Sequence, residues 1–159
     1  MASQSIRTSQ RCVATTLAGH QCKNRSTRGK KCWVHLKKID GLRVKKSNIA
    51  GLGLFTTKPR KNNERVATYK GESMTRAQVA QRYGDRTAQY VYCRSKNRCR
   101  DARKSNAGVA RFANDARGGG KRNNTKFSGF SLRTKRKVPA GAELLLSYGR
   151  EYWRSHNKA

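Results

Sequence analysis

Residues 138–153 read VPAGAELLLSYGREYW, and the rest of the chain is best read outward from this stretch. Val138-Pro139-Ala140-Gly141 has the composition of a turn. Glu143-Leu144-Leu145-Leu146 follows as a short apolar run, which predicts a buried strand, and Tyr148 stands just beyond it. Upstream lie DARKSNAGVARFAND at 101–115, YKGE at 69–72 and SNIAGLGLFTTKP at 47–59. Leu42 and Val44, with Gly51 to Phe55, predict short strands around a glycine turn; Val66 to Tyr69 and Tyr90 to Cys93 predict two more. Thr75 with Gln78 three residues on predicts a capping box that opens a short helix through about Tyr83, stopped by Gly84. The basic run from Arg94 to Lys104 predicts an exposed segment, and Gly118 to Asn124 a flexible loop. These signals describe a mostly β domain of roughly 115 residues, over 39–153, followed by a short tail at 154–159.

The 159 residues suffice for one domain and a small appendage. With 35% hydrophobic residues the core must be modest. No run approaches the length of a membrane span, and the first ten residues lack an apolar stretch of the secretory kind, so no membrane partner and a reducing compartment are expected. Charge dominates: 38 Lys and Arg against eight acids give +30. So basic a chain calls for an anionic partner, and nucleic acid fits best, because many cations displace the counterions condensed on phosphates. Five cysteines, an odd number, argue against a closed disulfide framework; Cys93 and Cys99 read as spare thiols.

Residues 1–38 read as a separate basic module. Cys12, Cys22, Cys32 and His35 have the spacing C-x9-C-x9-C-x2-H, punctuated by Gly19 and Gly29. Three sulfurs and one imidazole suit tetrahedral Zn2+. The segment's few large apolar residues, chiefly Val13, Leu17, Trp33, Val34 and Leu36, cannot make a core without a metal or another scaffold. His20 is a competing ligand of poorer spacing. The segment also resembles short Cys/His modules that start RC-x-A-T-T-x-x-G and end C-x-x-H, which implies structural zinc.

The four body segments, taken in order, resemble the SET domain of protein lysine methyltransferases in its compact, viral-like form without a post-SET segment. SNIAGLGLFTTKP is similar to the opening glycine motif, DARKSNAGVARFAND to the R-F-x-N-H-S segment, and VPAGAELLLSYGREYW to the G-E-E-L-x-x-x-Y-G ending. The resemblance implies small β-sheets with a C-terminal pseudoknot, S-adenosylmethionine as cofactor, and a lysine that enters from the opposite face. It implies that Gly51, Leu52, Gly53, Leu54, Arg111, Phe112, Asn114 and Asp115 help to bind the cofactor. Tyr148 would be the catalytic tyrosine beside both cofactor and lysine, Tyr90 would line the lysine site, and Trp153 would stack on the adenine. The family's His-Ser after the knot asparagine is Asp115-Ala116 here. Leu146 replaces a frequent aromatic, which implies that higher methylation states are accessible.

A basic tail peptide would be repelled by the average field of this chain, whereas DNA would attract it. The expected substrate is therefore a histone or another lysine-bearing protein on DNA, and the expected setting is chromatin, in a nucleus or a virion. The sequence leaves the oligomeric state open, a homodimer included. The rival expectation is a basic chromatin- or DNA-binding protein on a weak or inactive SET scaffold.

Overall fold

The computed structural model describes residues 5–156. Its strands form four small antiparallel sheets. In the N-terminal module, β1 (Gln10–Arg11) pairs with β2 (Arg25–Ser26), and a single helical turn, α1 (Trp33–His35), follows. A wider turn over 36–40 ends at Gly41, whose positive φ suits glycine.

The body starts with a hairpin of β3 (Leu42–Lys46) and β4 (Leu52–Thr56), in register from Leu42↔Thr56 to Lys46↔Leu52. Leu42 and Val44 point inward and Arg43 and Lys45 outward, the alternation that a half-buried strand imposes. Ser47 N donates to Gly51 O at 2.9 Å and closes the glycine turn, where Gly51 has φ +44°. β5 (Arg65–Thr68) pairs with β10 (Ser131–Thr134), which also pairs with β9 (Thr125–Ser128). The last sheet has β8 (Arg98–Asp101) between β6 (Glu72–Met74) and β7 (Val91–Ser95).

The helix α2 (Arg76–Tyr83) begins at Thr75 with the expected capping box. Thr75 Oγ1 accepts from Gln78 N, and Gln78 Oε1 accepts from Thr75 N at 2.8 Å. Its last turn is pinned to the sheet: Arg82 and the Tyr83 hydroxyl both donate to the buried Asp101 Oδ2 at 2.7 Å, and Arg82 also holds Glu72. Burial, first, and this bond to Asp101 push the Tyr83 hydroxyl up to about 12.

One apolar cluster binds the sheets together, with Leu54, Leu132 and Leu144 fully buried at its centre. Each such leucine contributes on the order of 1.5–3 kcal/mol through burial. Among the described residues, the module's own buried cluster is Cys12, Ala14, Cys22 and Cys32.

The C-terminal stretch departs from the expected strand at 143–146. It lies between three elements and meets each at isolated bridges: Phe55↔Glu143, Asn114↔Leu145 and Thr125↔Leu146. Leu146 N donates to Asn114 O at 2.8 Å while Leu145 O accepts from Thr125 N at 2.9 Å, so no single neighbour supplies a continuous ladder. This threading is the pseudoknot.

Three more expectations are corrected. The Arg94–Lys104 run is exposed over 94–98 and at Lys104, but it is not exposed throughout, because its Arg98–Asp101 part is the central strand β8, with Cys99 and Asp101 buried. Cys93 and Cys99 are not spare thiols; they are direct cross-strand partners and form a disulfide. Beyond Tyr148 the chain forms a helix, α3 (Gly149–His156), so residues 154–156 of the expected tail are helical, and 157–159 lie outside the described residues. Residues 1–4 of the expected module also lie outside them. No helix of the described residues is long and apolar enough to cross a membrane.

Candidate active site and metal centre

A cleft of about 720 Å3 opens where the glycine turn, the knot and α3 converge. A volume of that size suits a nucleotide-like ligand. One wall carries Ile49, Ala50, Gly51 and Leu52; another carries Phe112, Asn114 and Asp115; Tyr148, Tyr152 and Trp153 form a third. Tyr90 and Arg111 also face the cleft.

Asn114 ties two of these walls together. Its amide Nδ2 donates to Ala50 O and Leu52 O at 3.1 Å and to Glu143 Oε1 at 3.0 Å. Gly53 lies over the same carboxylate: a Cβ there would stand 2.2 Å from Glu143 Oε1. Its role is this close approach, and it does not line the cleft. Leu54 is fully buried in the core instead.

Asp115 is a hub that the sequence did not disclose. Oδ2 accepts from Tyr148 N at 2.8 Å and from Trp153 Nε1 at 3.0 Å; Oδ1 accepts from Arg117 N and Asn123 Nδ2, both at 3.0 Å. Burial would raise its pKa, but the four donors outweigh burial and hold it below the usual carboxylate range. The carboxylate thus fixes the backbone of the knot tyrosine and the plane of the indole together. Trp153 lies nearly parallel to Tyr148, at 17° and 6.2 Å between centroids, and Arg117 stacks on it at 5.1 Å.

The Tyr148 hydroxyl donates to Ala113 O at 2.7 Å. Burial, together with neighbouring Tyr152 and Asp115, pushes it well above the ordinary tyrosine value, so it stays protonated at neutral pH. Its proton is directed at the carbonyl, and the oxygen lone pairs remain to accept. The Arg111 guanidinium covers the Tyr90 ring at 3.8 Å and donates to Ala102 O, Arg103 O and Ser5 Oγ. Burial lowers the Arg111 pKa.

In the N-terminal module the ligand atoms of Cys12, Cys22, Cys32 and His35 lie within 4.8 Å of one another. His35 Nδ1 is 3.3 Å from Cys32 Sγ and 3.6 Å from Cys12 Sγ. Tetrahedral zinc, with bonds of about 2.3 Å to sulfur and 2.0 Å to nitrogen, needs roughly 3.5 Å between such atoms. The cluster therefore fits that ion. Burial tends to raise the Cys32 thiol, but hydrogen bonds from His35 outweigh it and bring it down to about 6, favouring the thiolate that a metal binds. His20 is exposed and outside the cluster.

Glycine turn, knot asparagine and knot tyrosine stand around one cleft in the order that the SET domain requires. The SET-domain family model matches residues 51–149, and the chain belongs to this family. No curated protein matches it. SET domains use S-adenosylmethionine and are in general lysine methyltransferases.

Proposed function

We propose that the chain is an S-adenosylmethionine-dependent protein-lysine N-methyltransferase that acts on lysines of DNA-associated proteins, histones foremost. The observation that carries this reading is the setting of Tyr148: a neutral hydroxyl anchored on Ala113 O, in a cleft of cofactor size, beside Asn114 and the glycine turn.

The cofactor, when bound, supplies a methyl group on a positively charged sulfur. Gly51, Leu52 and Asn114 would hold its amino-acid end, and the Trp153 face would take its base. The protein must present a lysine as the neutral amine, although its ordinary pKa is about 10.4. The Tyr90 side of the cleft does so by charge and burial. The Arg111 guanidinium, 3.8 Å over that ring, disfavours a second cation there. Tyr148 accepts a hydrogen bond from the amine and so turns its lone pair toward the methyl, which is catalysis by alignment. Leu146 is packed in the core and brings no hydroxyl to hold a blocking water, which supports di- and trimethyl products.

Charge points to the substrate form. Asp40, Glu64, Glu72 and Asp101 are paired with Lys31, Arg60 and Arg82. Asp115 and Glu143 are buried within the site. Asp85 and Glu151 are the two acids left without an ion pair among the described residues, too few to attract a basic tail against +30. Docking on DNA would bring the cleft to histone lysines, in chromatin of a nucleus or of a virion. The rival reading, an inactive basic scaffold, rests on Asp115 standing where the family has histidine. The same carboxylate holds both Tyr148 and Trp153, which supports activity.

The test compares methyl transfer to nucleosomes and to the equivalent free peptides across a salt series. Nucleosomes should react much faster at low salt, and the advantage should shrink steeply as salt rises. Equal rates on both at low salt would overturn the DNA-docking part. Absence of methyl-lysine from both, with cofactor bound, would overturn the enzyme.

A further inference from the structure

The cleft has a fourth wall that does not come from the matched family region. Ser5, Arg7, Thr27 and Arg28, all from the N-terminal module, line the same space as Asn114, Tyr148 and Trp153. A dense seam holds this wall in place. Ile6 forms a parallel bridge with Lys104; Ile6 N donates to Arg103 O at 2.7 Å and Ser105 N to Ile6 O at 2.8 Å. Thr8 and Ser105 exchange a reciprocal pair at 3.0 and 3.1 Å, and Asn106 binds Thr8 and Gln10. From the second loop of the module, Gly29 N donates to Ser105 O at 3.0 Å. Gly29 sits against Val109, where a Cβ would come within 2.7 Å of Cγ1 at a φ of +87°. The seam even reaches the lysine side, because Arg111 Nη2 donates to Ser5 Oγ.

We infer that the Cys3His module is a wall of the cofactor cleft, and that its metal and the cofactor bind cooperatively through the seam at 103–106. This rests on the reading of the cleft as the cofactor site. The module has four small buried residues for a core, so without its metal the loops bearing Arg7 and Arg28 lose their shape. The cleft then opens on that side, and a ligand there loses contacts and gains water. Coupling of this kind is reciprocal: cofactor that favours the docked wall must favour the metal by the same factor. Arg7 and Arg28, which make no ion pair among the described residues, give the wall its charge.

The test uses the full chain with S-adenosylhomocysteine as probe, and reads affinity by calorimetry, zinc content by metal analysis, and amide exchange at Ile6 and Ser105. Wild-type protein, zinc-stripped protein and the variants Gly29→Ala, Gly29→Val and Arg28→Ala are compared. Gly29→Val is the larger obstacle at Val109, in case the body yields to alanine. Faster exchange at Ile6 and Ser105 should accompany at least a fivefold loss of affinity, within the range typical of coupled sites. The Gly29 variants should keep their zinc. Arg28→Ala should weaken the probe with exchange unchanged. Saturating probe should raise zinc affinity in competition with a chelator by the same factor. Wild-type affinity in a protein whose seam exchanges freely would overturn the inference, as would unchanged seam exchange after zinc removal. A wild-type protein that holds zinc and a closed seam but binds no probe would instead overturn the cofactor reading itself.

Discussion

The module over 5–38 and the body behind it hold together by different means. The body supplies thirteen of the fourteen residues of the main apolar cluster and has five strand pairings. The module pairs two residues of β1 with two of β2, leaves Leu17 and Trp33 in solvent, and gathers its chain around four ligand atoms. Apolar burial scales with the area that a segment can cover, and some thirty residues cannot cover enough. A metal held by those four atoms would replace that area with a few strong bonds. Charge separates the regions as well: residues 1–38 have nine Lys and Arg and no acid, whereas all eight acids lie from Asp40 onward.

Removal of zinc should separate the two regions most strongly. Structural zinc contributes on the order of 10 kcal/mol to modules of this kind. Freshly purified, reduced protein should hold one zinc, and Cys32→Ser should lose it together with the module's amide protection. The body should still melt cooperatively. Loss of both regions at once would mean that the body has no independent core.

Within the body, Asp101→Ala should have the largest effect on stability. It removes the fully buried acceptor shared by Arg82 and Tyr83 and unfastens α2 from β8. A cost of about 3 kcal/mol is expected, as for other broken buried pairs, with zinc content unchanged. Chemical denaturation monitored by circular dichroism measures it.

Gly53→Ala comes next. Its Cβ would meet Glu143 Oε1, which also receives Asn114. The strain should cost about 1–3 kcal/mol and weaken cofactor binding by moving Asn114. Wild-type affinity in this variant would separate Gly53 from the site.

The smallest effect at neutral pH is that of titrating Asp115. Its folded pKa is lowered, so the four hydrogen bonds it accepts are intact above the ordinary carboxylate value of about 3.9. They are lost as pH falls through the lowered folded value. Trp153 fluorescence should hold steady from pH 8 to about 5 and change only in the acid limb. Asp115→Asn should alter the pH 7 signal and flatten that limb.

How much of this was legible depended on whether a feature was local. Thr75 and Gln78 lie within one turn of chain, and their capping box could be read directly. The metal cluster was legible because Cys32 and His35 are close in sequence and their element types are unambiguous. The 138–153 stretch signalled its fold through a motif, but not its threading, since bridges to Phe55, Asn114 and Thr125 depend on where those residues arrive in space. The Cys93–Cys99 bond depends on strand register, which composition does not reveal. The clamp at Asp115 reaches 33 residues to Tyr148 and 38 to Trp153, and read from the motif it looked like a departure from pattern. The seam was the least legible feature, because Thr8 and Ser105 are 97 residues apart and neither is distinctive as a residue type.

The central claim is that Tyr148 aligns a lysine for methyl transfer. The direct measurement incubates the protein with isotopically labelled S-adenosylmethionine and nucleosomes, maps modified lysines by mass spectrometry, and repeats this with Tyr148→Phe. Loss of the hydroxyl removes the acceptor for the amine and should cut turnover by about 100-fold or more, while calorimetry shows cofactor still bound. Methyl-lysine made by the wild type and almost none made by a variant of equal cofactor affinity is the predicted result. Equal turnover by the two proteins, or no methyl-lysine from a wild type saturated with cofactor, would contradict it.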